Sequence, residues 1–291
     1  MAPRLRLVVV AGCGFLGEAV ADGLHADGWR VLGWTASAES AERLAAAKPY
    51  PVETQDIGDL AGLREAATRL GKVEAVVDCV SSGRGGGAEA YRRVYLEGAR
   101  HLLEALQPRR FVFTGSTSVY AQTDGAWVDE ASPAEPTRET GQVLRETENL
   151  VLSSAGGAVA RLAGLYGPAR SVLLKKFLAG DAVLEGDGSR WLNQIHRDDA
   201  AAALRCLADP ETAPAGIYNV ADGTPLTQLA LYRGLAERLD RPLPPSGPPD
   251  LNRKRGWTSK RVSNARLRAL GGSGWQPRFP SFFDALDAGS L

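Results

Sequence analysis

Short β-branched runs alternate with helical patterns through the first half of the chain. The pattern predicts strands at Leu5–Ala11, Arg30–Trp34, Pro51–Thr54, Ala75–Val80, Arg110–Thr114 and Ala158–Leu162. Between them it predicts helices at Phe15–Ala26, Ala38–Ala47, Leu60–Leu70, Tyr91–Leu106 and Thr137–Ser154. Strand–helix alternation at this spacing specifies an α/β fold with a parallel, doubly wound sheet. The near-continuous apolar run Leu7-Val8-Val9-Val10 suits a strand covered on both faces.

The second half is less regular. His196–Leu207 is an Ala-rich helical stretch opened by Asp198 and Asp199, acids well placed against a helix N-terminus. Gly216–Val220 predicts a strand and Leu226–Leu239 a helix. Pro242–Pro249 is proline-rich and predicts a loop, and Asn264–Leu270 a short helix capped by Asn264. There is no internal repeat of solenoid length.

Charge narrows the function classes. The chain has 291 residues, with 34 Lys and Arg against 34 Asp and Glu. That balance argues against a uniformly basic nucleic-acid binder. Apolar runs such as Leu7–Ala11 fall far short of the roughly 20 residues a membrane span needs. Val10-Ala11-Gly12-Cys13 resembles a lipoprotein cleavage box, but Arg6 leaves too short an apolar core before it. Three scattered cysteines and three histidines show neither a disulfide framework nor metal-ligand spacing, so no metal is expected and a reducing cytoplasm is the default. The zero also hides a division. Residues 250–268 carry seven Arg and Lys against Asp250, and residues 124–148 seven acids against Arg138 and Arg145. The basic stretch is either an anion site or a solvated face paired with the acidic one.

Gly12-Cys13-Gly14-Phe15-Leu16-Gly17 is a GxGxxG placed between the first strand and the first helix. In that context Gly12 permits the tight turn, Gly14 lets a pyrophosphate approach, and Gly17 packs the helix on the sheet. Phe15 and Leu16 carry the helix's first N–H groups toward the anion. An acid closing the second strand would take the ribose 2′-OH of NAD; this strand runs into Gly33-Trp34-Thr35-Ala36-Ser37 instead. Thr35, Ser37, Ser40 and Arg43 could receive a 2′-phosphate, so the preference is NADP over NAD. Asp56 either bonds the adenine edge, with Ile57 packed on the ring, or caps a helix. Ser81 opens a glycine-rich segment, residues 81–87, at the sheet's carboxyl edge; Thr114 closes the fifth strand there.

GCGFLG at 12–17, TGSTSVY at 114–120, RLAGLYGP at 161–168, NQIHRDDAAAA at 193–203 and KRVSNARLRAL at 260–270 resemble the extended short-chain dehydrogenase/reductase family, the NAD-dependent epimerase/dehydratase group. The resemblance implies a Rossmann domain over residues 1–165 and a smaller substrate domain over 166–291, with 192–222 returning to the first. It implies a small-molecule substrate, which the basic C-terminal segment would suit if anionic, and a homodimer formed through the helices at 91–106 and 137–154. It places the substrate-holding hydroxyl on Ser116, counted back from Tyr120. A Tyr-x-x-x-Lys pair should follow on the next helix, where Gly141 and Arg145 stand instead. Glycine cannot exchange a proton, and an arginine does not give one up at working pH. Arg145 is left as a ribose ligand. Tyr166, Tyr120, His196 and Glu139 are the replacement candidates, Ser116 and Tyr166 foremost as substrate-facing. Two readings stay open: a dinucleotide-dependent enzyme on a hydroxylated, sugar-like or nucleotide-linked substrate, or a dinucleotide-binding regulator without turnover.

Overall fold

The computed structural model describes residues 6–83, 86–253, 256–270 and 274–291. The first half forms β1 (Leu7–Ala11), α1 (Phe15–Ala26), β2 (Arg30–Thr35), α2 (Ala38–Ala47), β3 (Val52–Thr54), α3 (Leu60–Leu70) and β4 (Ala75–Asp78). The expected helix at 91–106 is a composite: α4 (Ala88–Tyr91) enters a π-helical stretch, Arg92–Glu97, and continues as α5 (Gly98–Leu106). Then come β5 (Arg110–Ser116), β6 (Trp127–Val128), α6 (Glu139–Leu152) and β7 (Gly157–Leu162).

The remainder comprises β8 (Gly164–Tyr166), α7 (Val172–Ala179), β9 (Leu184–Glu185), β10 (Trp191–Leu192), β11 (Gln194–His196), α8 (Arg197–Ala208) and β12 (Gly216–Val220). It ends with β13 (Leu226–Thr227), α9 (Gln228–Leu239), β14 (Ser246–Gly247), β15 (Arg261–Val262), α10 (Ala265–Arg268) and α11 (Phe282–Asp287). The proline-rich loop contributes β14, which pairs with β9. The sequence pattern did not point to α11.

The central sheet is parallel and seven-stranded, in the order β12-β7-β5-β4-β1-β2-β3. The chain winds outward from β1 in both directions, so the carboxyl ends of β1 and β4 flank the switch point where such sheets bind ligands. Helices cover both faces, and β1 is buried along its whole length. A second apolar core, including Phe177, Leu184, Leu231, Tyr232, Phe279 and Phe282, lies outside the sheet. Residues 192–222 supply β11, α8 and β12, and α8 packs on α1. A later segment also returns: Val262, Leu267 and Trp275 are buried in the sheet's core, not in the second one. Asn264 stands at the N-cap position of α10, but its side chain makes no capping bond. Its Nδ2 donates to the Ala221 carbonyl at 2.7 Å, tying the segment to the end of β12.

One buried polar network fastens α6 to the sheet. Arg161 on β7 donates from Nη2 and Nε to the Glu148 carboxylate at 2.7 and 3.0 Å, and both side chains are buried. Arg161 Nη1 donates to the Tyr120 hydroxyl at 2.8 Å, which donates in turn to Asn219 Oδ1 at 2.8 Å. Breaking one side of a buried pair leaves the other charge unmatched, at about 3–5 kcal/mol. Glu148→Leu is therefore expected to lower unfolding free energy by that amount in urea titration, and Glu148→Leu with Arg161→Met to lower it by less.

Candidate functional site

A cleft of about 1090 Å³ runs along the carboxyl edge of the sheet and on between the two cores. Its first half is the glycine turn. Gly12 has φ +82°, and a Cβ there would lie 2.6 Å from the Val80 nitrogen. A Cβ on Gly17 would lie 2.3 Å from the Gly12 carbonyl oxygen, whereas the space at Gly14 is open to 4 Å. No side chain caps α1 at Gly14. The first-turn N–H groups of a 12-residue helix are thus free to meet an anion. Cys13 is buried beneath this turn beside Gly33, and burial pushes its thiol up to about 12. Phe15 forms the cleft wall beneath the Arg170 and Arg197 guanidinium groups, 4.7 and 5.4 Å from its ring.

At the end of β2, Thr35 donates to the Ser37 carbonyl at 3.0 Å, and Ser37 caps α2 by accepting from the Ser40 nitrogen at 3.3 Å. Ser40 and Arg43 complete that wall. Asp56 both lines the cleft and turns its own loop, its Oδ1 accepting from the Gly58 nitrogen at 2.8 Å. Ile57 packs closely on α5, where a Cβ on Gly98 would lie 2.4 Å from its Cδ1. His101 Nδ1 lies 3.0 Å from the Ile57 carbonyl. Ser81 is exposed at the cleft edge; the glycine-rich segment after it includes Arg84 and Gly85, outside the described residues. The Thr114 hydroxyl is spent within the sheet, donating to the Asp78 carbonyl at 2.8 Å.

Ser116 lines the cleft where β5 ends, its Oγ accepting from the Ser118 nitrogen at 3.2 Å. Ser118 lines it too, and its buried Oγ has no hydrogen-bond partner among the described residues. A buried hydroxyl without a partner is costly and is a natural ligand contact.

The other expected catalytic residues do not meet there. Arg145 turns inward to the buried Glu148 carboxylate and is absent from the cleft wall, so it does not hold a ribose. His196 is fully buried: its Nδ1 accepts from the Asp198 nitrogen at 3.2 Å, capping α8. Its Nε2 therefore carries the proton and donates to the Ser290 carbonyl at 2.9 Å. Tyr166 borders the cleft, but its ring packs on Phe282 and its hydroxyl sits 3.4 Å from the Ser281 carbonyl, with burial raising its pKa. That points it into the second core and leaves it a poor proton donor. Tyr120 is buried in the Arg161 network, and Glu139 is exposed outside the cleft.

The helix that should hold the tyrosine–lysine pair contains neither residue type. At Gly141 a Cβ would lie 2.5 Å from Pro136 Cβ. The loop before α6 thus crosses where a side chain at 141 would begin.

With these features in place, comparison with known proteins identifies the lineage. The family model described as "NAD dependent epimerase/dehydratase family" matches residues 8–221. The chain belongs to that family. Protein YeeZ of Escherichia coli (strain K12) is 32% identical over 230 residues, 74% of this chain and 77% of that protein. A solved structure from Methylobacillus flagellatus, assigned as an NAD-dependent epimerase/dehydratase, is 29% identical with TM-score 0.77, covering 98% of this chain and 97% of its own. WbmG of Bordetella bronchiseptica, solved with NAD, shares the fold at TM-score 0.81 and 16% identity, over 99% of this chain and 94% of that one.

The cleft is rich in cations along its length. Arg43, Arg93, Arg170, Arg190, Arg253 and Lys260 line the cleft, against Asp56 as the one acidic lining residue among those described. Arg170 and Arg190 belong to no motif visible in the chain; only the pairing of β10 with β13 and the loop after β8 bring them in. The basic segment at 250–268 reaches the site through Arg253 and Lys260, whereas Lys254 and Arg255 lie outside the described residues. Among those described, no ion pair joins it to the acidic segment at 124–148. The two meet by strand pairing of β15 with β6 and by Arg261 donating to the Gly125 carbonyl at 2.8 Å.

Gly→Ala in an open helix gains up to about 1 kcal/mol, but Gly141→Ala here is expected to lose about 1–3 kcal/mol by overpacking on Pro136, measured by urea denaturation. Gly141→Tyr with Arg145→Lys should be worse still and confer no carbonyl reduction. Beneath the cleft, Asp78 is buried with Oδ2 lacking a partner among the described residues, and burial raises its pKa to about 7. The unfolded carboxyl titrates near 3.9, so the native state holds the proton more tightly. Its contribution to stability falls as pH rises from about 4 to about 7, then levels. Asp78→Asn is expected to gain melting temperature relative to the parent across that interval.

Proposed function

We propose that the chain is a nicotinamide-dinucleotide-dependent oxidoreductase or epimerase acting on a hydroxylated, anionic substrate such as a nucleotide-linked sugar. The observation that carries this is the continuity of one cleft: a glycine turn open to a pyrophosphate, Ser116 and Ser118, and a set of cations all line it. The glycine cradle fits the dinucleotide, because the space at Gly14 is clear while Gly12 and Gly17 let strand and helix approach closely. When bound, that group supplies or accepts hydride. The chain's own side chains do the rest. Ser118, with its unpartnered hydroxyl, and Ser116 hold the substrate oxygen; Arg170, Arg190 and Arg253 hold its anionic part in the forked geometry guanidinium groups offer phosphate.

The reading favours NADP. No acid lines the cleft at the end of β2, and Arg43 and Ser40 line it where a 2′-phosphate would lie. A hydrogen bond to a charged group contributes about 1.5–3 kcal/mol, so Arg43→Ala is expected to weaken NADPH binding about tenfold or more in fluorescence titration and to leave NADH binding unchanged. Tighter binding of NADH than NADPH by the parent would reverse the cofactor preference. Absence of binding to both would remove the proposal.

A second reading rests on α6, which holds neither tyrosine nor lysine: a dinucleotide-binding regulator without turnover. Nicotinamide absorbance followed across a panel of carbonyl and hydroxyl compounds separates the two. Change in absorbance supports the enzyme; tight NADPH binding with none, and a partner protein recovered in pull-downs, supports the regulator.

A further inference from the structure

We propose that Lys260 is the proton-exchanging group of this site, in place of the missing tyrosine. The inference rests on the enzymatic reading above and deepens it.

Three observations on geometry carry it. Lys260 lines the cleft but is only 4% exposed. Among the described residues its Nζ has no carboxylate partner; it donates to the Thr258 hydroxyl at 2.8 Å, a neutral acceptor that also lines the cleft. Its backbone is clamped, the carbonyl accepting from Asn193 Nδ2 at 2.8 Å while Asn193 Oδ1 accepts from the Val262 nitrogen at 2.7 Å. A lysine held this way is not a surface charge. Among the described residues the charge acting on it is Arg190, whose Nε donates to the Thr258 carbonyl at 3.0 Å. The adjacent carboxylate, Glu185, is already taken by Arg253 and lies 3.8 Å from Arg190 Nη1. The ammonium is therefore disfavoured twice, by burial and by a like charge, and its pKa drops to about 7. An amine titrating near neutrality both gives and takes a proton at working pH. No other lysine described lines this cleft.

In the reducing direction the Lys260 N–H bond breaks and an O–H bond forms on the substrate oxygen. The carbonyl π pair becomes the bond to that proton as hydride from the dihydronicotinamide reduces the carbon. Lys260 is left as a neutral amine and regains its proton from water. Oxidation of the alcohol is the reverse.

The test has two arms on the full chain. In the first, competitive acetylation with trace acetic anhydride from pH 5.5 to 10 is read by mass spectrometry on the peptide containing Lys260. A midpoint near 7 supports the proposal, and a midpoint near the usual 10.4 of a lysine overturns it. In the second, NADPH oxidation is followed over a panel of carbonyl compounds. Lys260→Met and Lys260→Arg are both expected to lower kcat by about 10²–10⁴-fold, the range of general acid–base catalysis, with the NADPH Kd unchanged. Arginine preserves charge but does not release a proton, so Lys260→Arg keeping its kcat would assign the residue to charge alone and overturn the proposal. Loss expressed only in substrate KM does the same. No turnover by the parent protein removes the enzymatic reading itself, and this inference with it; turnover that survives Lys260→Arg removes this inference alone.

Discussion

The geometry of the site depends on the buried Glu148–Arg161 pair. Two opposite charges with so little water around them are favourable only when their hydrogen bonds are nearly complete, and here Arg161 meets Glu148 twice and Tyr120 once. The pair fixes the depth at which α6 lies on β5 and β7. A Cβ at Gly115 would sit 3.4 Å from Glu148 Oε1, so the carboxylate lies directly under the turn that presents Ser116 and Ser118. Tyr120 and Asn219 carry the same network to the sheet edge at β12.

That network also redirects the helix's chemistry. Arg145 pairs with Glu148, so the charge facing it draws it into the interior and away from the cleft. Gly141 is pressed by Pro136. The face of α6 that would deliver a proton is therefore given over to packing. The cleft's titratable groups come from the opposite wall, on segments that follow β9 and β14, where cations crowd without enough carboxylates to neutralise them.

The strands and helices of the sheet were legible because their apolar positions repeat with the right periods, and the glycine turn because its context is local. The departures have physical causes. His196 has the side chain of a proton carrier, but a helix N-terminus and the Ser290 carbonyl claim both ring nitrogens. Tyr166 follows a strand at the ligand edge, yet the aromatic cluster around Phe282 turns its hydroxyl away. Asn264 stands at the start of α10 without a side-chain capping bond, and its Nδ2 instead holds the Ala221 carbonyl. Helix α11 is too short to show a period. Arg170 and Arg190 carried no signal, since each is an ordinary arginine until the fold places it.

What the chain determined by itself is the α/β class, the positions of the central strands along the sequence, the dinucleotide turn and the absence of a tyrosine–lysine pair on the expected helix. These depend on periodicity and on residues near one another in sequence. Tertiary structure alone decided which polar groups face the cleft and in what charge state. Burial and the neighbouring Arg190 charge set the character of Lys260, and only folding brings Arg190 to it from far along the chain.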